Sequence, residues 1–148
     1  MEKSTTPFSE LMLHIQKEIL IMAPLAVVFE SVLEQMGPGM DDLGGNKMDM
    51  KFEAWPGGRW YRDLGNKTGH LWGHVQVIKP PTLLEIYGPM MMSYPAVNHI
   101  QYRLTPEGDG TKLTFLHRGM GDILPDHRSG MVQGWEKFVS LVKTRSEK

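Results

Sequence analysis

Cysteine is absent from the 148 residues, which excludes disulfides, thiolate nucleophiles and cysteine-based zinc centres. No apolar run approaches the roughly 20 residues that cross a bilayer. The segment Met1-Glu2-Lys3-Ser4 lacks the apolar core of a signal peptide, so the expectation is a cytoplasmic protein with no membrane insertion. Charge of one sign is lacking too. Sixteen Lys and Arg stand against seventeen Asp and Glu, and nothing draws this chain to nucleic acid or to an anionic lipid surface. No internal repeat or low-complexity tract interrupts it.

What is present is ordinary globular stock, 41% apolar and 22% charged, at a length that suits one domain over residues 1–148 with a substantial core or an enclosed cavity. Twelve methionines are the compositional surplus. Met is flexible and polarisable, so it fills core gaps and equally suits surfaces that adapt to irregular guests.

Periodicity orders the chain. Leu11, Leu13, Ile15, Ile19 and Ile21 alternate as a half-buried strand does, with Lys17 interrupting the face. Pro24 opens a helix whose stripe is Leu25, Val28, Phe29, Val32, Leu33 and Met36, and Gly37-Pro38-Gly39 ends it. After a Gly- and Asp-rich loop, strand signals follow one another without helices between them. They cover Met48 to Ala54, Trp60 to Leu64, His70 to Ile78, Leu83 to Tyr87, Val97 to Leu104 and Lys112 to His117, with turns at Pro56-Gly57-Gly58, Gly65-Asn66-Lys67, Pro80-Pro81 and Pro106 to Gly110. In His70 to Ile78, alternation sends Leu71, Gly73, Val75 and Val77 one way and His70, Trp72, His74 and Gln76 the other. Asp126 is placed to cap a last helix with the stripe Met131, Trp135, Phe138, Val139 and Val142.

The order strand, helix, six strands, helix predicts an α+β fold in which a seven-stranded curved antiparallel sheet wraps a long C-terminal helix. Antiparallel strands in such number twist strongly. A helix is only about 10 Å wide with its side chains, so it does not fill the trough of a seven-stranded sheet. The remainder must be plugged by large side chains or by a guest.

Several local patterns resemble the START-like, or SRPBCC, superfamily of helix-grip proteins, which includes the birch-pollen-allergen proteins and polyketide cyclases. The nearest branch is the one named after the C-terminal domain of the activator of the heat-shock-protein-90 ATPase. The residues that carry this are Ile21-Met22-Ala23-Pro24 with Val28-Phe29, Trp55-Pro56-Gly57-Gly58-Arg59-Trp60, Gly69 to Gly73, Leu84 to Gly88, Tyr102-Arg103-Leu104, Gly110-Thr111-Lys112-Leu113 with His117, and Gly134-Trp135. The resemblance implies binding of lipids, hormones, polyketides or other hydrophobic compounds.

Three functions follow as expectations. The first is a binding protein for a small hydrophobic or aromatic ligand held between sheet and final helix, lined by Trp60, Tyr102, Phe115, His117, Trp135 and Phe138. The second is a cyclase or aromatase in which His117, with Tyr102 or Arg62, manages proton transfer. The third is a chaperone interaction module. No catalytic residue, metal or cofactor is assigned, and the assembly expected is a monomer or weak homodimer. His70 and His74, roughly 7 Å apart along a strand, could ligate a metal with Glu85, His99 or His117, but a solvated or packing role explains them more simply. Met90-Met91-Met92 is either the adaptable rim of a cavity or filler at the sheet's end. Gly130 and Gly134 each cost a helix up to about 1 kcal/mol relative to Ala, which suggests space left open beside Trp135.

Overall fold

The computed structural model describes residues 7–148. After a single 3-10 turn at Phe8–Leu11 come strand β1 (Met12–Ile21) and helix α1 (Leu25–Met36). Strands β2 (Met50–Phe52), β3 (Arg59–Gly65), β4 (Thr68–Lys79), β5 (Leu83–Gly88), β6 (Ala96–Glu107) and β7 (Gly110–Gly121) follow, and helix α2 (Pro125–Ser146) ends the series. The strands form one antiparallel sheet in the order β1-β7-β6-β5-β4-β3-β2. Each neighbour from β2 to β7 is therefore the next strand in the chain, and only β1 crosses over to pair β7. This is the curved antiparallel sheet gripping a long C-terminal helix that the order of strands and helices predicts.

The two helices begin slightly off the sequence expectation. Pro24 is the residue before α1, extended at φ −64° and ψ 154°. Asp126 does not cap α2, because the helix starts one residue earlier at Pro125 and Leu124 occupies the cap with no side-chain hydrogen bond. Proline in the first turn lacks an N–H that would go unpaired there anyway, so the missing cap is partly offset.

The largest departure lies in β4. Trp60 pairs with Gly73 but Tyr61 pairs with Leu71, leaving Trp72 as the extra residue of a bulge. A bulge breaks the two-residue alternation. Trp72 and Val75 are consequently both buried, whereas Leu71 is 42% exposed and His74 stacks on exposed Tyr87 across the outer face. Trp72 meets Trp60 edge-on at 5.1 Å. The backbones crowd at this point: a Cβ on Gly88 would stand 2.4 Å from both the Trp72 carbonyl and Gly73 Cα, so only glycine fits.

Helix α2 does not lie centrally in the trough. It leans towards β1, where Lys17 Nζ meets Glu136 at 2.9 Å, Lys143 Nζ donates to the Leu20 carbonyl at 3.2 Å and Arg128 donates to the carbonyls of Met12 and Glu10. The Met22 N–H in turn donates to the Glu147 carboxylate at 2.7 Å. The core runs beneath α1 and α2 over β1, β7 and β6, with Val28, Phe29, Val32, Leu113, Phe115, Tyr102 and Val142 sealed from solvent.

Candidate functional site

The lean of α2 towards β1 leaves the other half of the trough uncovered, and there the structure holds a cavity of about 490 Å³. Its floor is Trp72 of β4, and one wall is the face of α2 bearing His127, Gly130, Met131, Gly134, Trp135, Phe138 and Leu141. These positions follow one another at helical spacings of three and four. The opposite wall is the loop after α1, through Met40, Asp41, Asp42, Leu43, Gly44 and Met48, and the connection from β5 to β6 adds Met90 and Met91. The volume falls within the range of small-molecule sites.

Two features keep this space open. A Cβ built on Gly130 or on Gly134 meets no atom within 4 Å, so the helix presents bare backbone to the cavity. Five of the twelve methionines, at 40, 48, 90, 91 and 131, stand around the same space, and their unbranched side chains give the walls an adaptable surface. The run Met90-Met91-Met92 divides its roles. Met90 and Met91 line the cavity, while Met92 is 3% exposed and packs inward. Met90 sits in the left-handed region at φ +58°, a conformation uncommon outside glycine, and is held there by donating its N–H to the Trp72 carbonyl at 2.8 Å.

The loop over the cavity is stitched to itself and to the helix. Asp42 accepts the Asn46 N–H at 2.9 Å, and this bond with the Asn46 side chain holds the Asp42 carboxyl below its ordinary range. Asp41 pairs with Lys47 at 3.0 Å. Lys137 Nζ reaches across from α2 to donate to the Asp42 carbonyl at 2.7 Å. At the other end, the Tyr94 hydroxyl and His127 Nδ1 lie 2.7 Å apart, joining the β5–β6 connection to the start of α2.

Of the six residues expected to line the site, the structure puts Trp135 and Phe138 on the cavity wall. Trp60, Tyr102, Phe115 and His117 lie behind it with no solvent exposure. Tyr102, Phe115 and His117 join Trp135 and Phe138 in an aromatic cluster in which Phe115 and Trp135 are 4.4 Å apart and Tyr102 touches both Phe115 and Phe138, while Trp60 meets Trp72. The polar atoms in this layer are paired. The Trp60 indole N–H donates to the Met36 carbonyl at 2.8 Å, and the Tyr102 hydroxyl donates to the Met36 sulfur at 3.0 Å.

His117 is fully engaged. The indole N–H of Trp135 is only a donor, so its 3.0 Å bond to Nδ1 makes that nitrogen the acceptor and puts the proton on Nε2. Nε2–H then donates to Asn98 Oδ1 at 2.7 Å, and the Asn98 Nδ2 amide donates to the carbonyls of Gly88 and Pro89. Burial lowers the His117 pKa from 6.5 to about 4, because an imidazolium in this setting has no water to solvate it. The chain Trp135–His117–Asn98–Gly88 thus ties α2, through β7 and β6, to the turn carrying the methionines. It leaves no lone pair on His117 for proton transfer.

The residues considered for a metal are dispersed. His74 faces outward against Tyr87, His99 pairs with Glu85 at 3.7 Å, His70 lies edge-on to Trp72, and His117 is locked as described. Among the described residues, no cluster of three or more His, Asp or Glu is arranged to hold an ion. Sequence reasoning overlooked the loop residues Met40, Leu43 and Met48 and the floor residue Trp72. Alternation did place Trp72 on one face with His70, but the bulge that turns it under the cavity is a property of strand pairing.

Residues 43–144 match the family model of the Activator of Hsp90 ATPase homolog 1-like protein, a span of more than half the chain. The chain belongs to that family. As a member of the activator-homologue family it shares its fold with solved structures of low identity. Protein CV1439 from Chromobacterium violaceum is 16% identical, with 91% of this chain and 97% of that one covered at a TM-score of 0.70. Ara h 8.0201 is 13% identical, with 90% and 96% covered at 0.66. The di-domain ARO/CYC StfQ from the steffimycin biosynthetic pathway is 10% identical, with 95% of this chain and 52% of that one covered, also at 0.66. A comparison with curated proteins gives no match. No helix among the described residues is long and apolar enough to cross a membrane.

Proposed function

We propose that this member of the activator-homologue family is a binding protein for a small, mostly apolar molecule, held in the trough beside α2. The observation that carries the reading is the cavity of about 490 Å³ onto which Gly130 and Gly134 open with nothing within 4 Å. Two glycines inside a 22-residue helix cost up to about 1 kcal/mol each relative to alanine, and nothing in the packing of α2 requires them. They make sense as space kept for a guest. The guest then lies between sheet and helix, with Trp135 and Phe138 as contacts and Trp60, Tyr102, Phe115 and His117 supporting them from behind.

Proton-transfer chemistry finds little support. The imidazole of His117 has both nitrogens bonded, the Tyr102 hydroxyl is spent on a sulfur, and neither lines the cavity. An uncharged fluorescent probe, N-phenyl-1-naphthylamine, tests the binding reading. Saturable one-site binding is expected for the native protein and its loss in Gly134→Leu, whose side chain grows into the open space. Absence of saturable binding, or undiminished binding to a folded Gly134→Leu protein, overturns it.

A further inference from the structure

The chain has four tryptophans, and the fold treats their indole N–H groups unequally. Trp55 is 56% exposed and reaches water. Trp60 and Trp135, both buried, have acceptors at 2.8 and 3.0 Å. Trp72 is 2% exposed, forms the floor of the cavity, and its Nε1–H has no acceptor. A buried donor without a partner costs about 1–3 kcal/mol. Native folds leave few such groups, and each one asks for a reason. Here the unpaired donor belongs to a residue that walls a space able to admit another molecule.

We propose that the guest carries a neutral hydrogen-bond acceptor, a ketone, ester, amide or ether oxygen, at its buried end, and that Trp72 Nε1–H donates to it. The inference rests on the binding reading above and narrows it to a chemical class. A hydrocarbon would leave the indole N–H unsatisfied. A carboxylate would be buried in a cavity whose lining, among the described residues, carries no Lys or Arg other than Lys137. Lys137 already donates to the Asp42 carbonyl, and Asp41, Asp42 and Asp126, which also line the cavity, repel a further negative charge. Burying an unpaired ion costs far more than one hydrogen bond returns. A neutral oxygen avoids both penalties. Room for it to reach the indole comes from Met90 and Met91, which line the same cavity as Trp72 and repack readily.

Three naphthalenes of nearly equal size separate the possibilities: 2-acetylnaphthalene, 2-ethylnaphthalene and 2-naphthoate. Their affinities are measured by titration of the ¹⁵N-labelled protein while the indole N–H resonance of Trp72, identified by its loss in Trp72→Phe, is followed. The ketone is expected to bind about three- to tenfold more tightly than the hydrocarbon, the margin of one net hydrogen bond. It is also expected to move the Trp72 N–H signal downfield, and naphthoate to bind weakest. Trp72→Phe is expected to erase the ketone's advantage and leave the hydrocarbon near its native affinity. Equal binding of ketone and hydrocarbon, an unmoved Trp72 signal, or naphthoate as the tightest ligand overturns the proposal. If Trp72→Phe fails to fold, the affinity ratio of ketone to hydrocarbon in the native protein decides alone. Saturable binding of the hydrocarbon that Gly134→Leu abolishes, without any preference for the ketone, defeats the acceptor and leaves the binding site standing. No binding of either neutral compound defeats both.

Discussion

Acidification tests the His117 network most directly. The imidazole is neutral in the fold with a pKa of about 4 against 6.5 in the free side chain. Between these values the unfolded chain binds a proton that the folded one refuses, so stability is present above pH 6.5 and falls as the pH drops towards 4. Two and a half pH units at 1.36 kcal/mol each amount to about 3 kcal/mol, of which roughly 2.5 kcal/mol is lost between pH 7 and pH 4.5. For a protein of this size that moves a urea midpoint by on the order of 1 M. The carboxylates do not obscure the window. Hydrogen bonds and charge from Arg59 hold Glu53 at about 2, and Asp42, Asp63 and Glu147 are lowered as well, so their contribution is full above about pH 5 and most of it is lost only below about pH 4.5. Urea titrations at half-unit intervals should show the midpoint falling from pH 6.5 to 4.5, with the slope reduced in His117→Gln, which retains a donor and an acceptor but does not titrate there. An unchanged slope in His117→Gln, or an imidazole resonance of His117 that titrates near 6.5 in the folded protein, refutes the reasoning.

Further consequences are specific to single side chains. Gly130→Ala should raise stability by up to about 1 kcal/mol, because the helix gains propensity and the new methyl meets nothing within 4 Å; a lowered urea midpoint counts against an open cavity. Asn98→Ala strands the His117 Nε2–H and releases the carbonyls of Gly88 and Pro89. It should cost about 1–3 kcal/mol and speed amide exchange at Met90 and Met92, and an unchanged midpoint would show the network idle. Lys137→Met removes the bond to the Asp42 carbonyl, with faster exchange expected over residues 42–46 while the global midpoint barely moves.

The architecture could be read in advance because the elements are strongly periodic and their turns carry Gly, Pro and Asn. The alternation of Leu13, Ile15 and Ile21 and the helical spacing of Val28, Phe29, Val32 and Met36 each correspond to one buried face. The cavity was harder to read, for physical reasons. Which inward residues touch a guest depends on the lateral position of α2, and that is set by contacts such as Lys17 with Glu136, 119 residues apart in the chain. Seen as a sequence, Tyr102 and Phe115 point inward as surely as Trp135 does, but they sit under the helix rather than beside it. Gly130 and Gly134 did carry a visible signal, since their cost inside a helix has no local compensation. The bulge at Trp72 carried none, because an inserted residue shows only against the partner strand.

The bonds along β1 bear on how this chain behaves among its own copies. An outer strand ordinarily offers a row of unpaired backbone groups on which another strand can assemble. Here Arg128, Lys143 and Glu147 occupy such groups at Met12, Leu20 and Met22. The C-terminal segment therefore guards both ends of this border of the sheet, narrowing the stretch on which an incoming strand can assemble. Removing its final turn would strip two of the three guards and turn that border into a seed for aggregation.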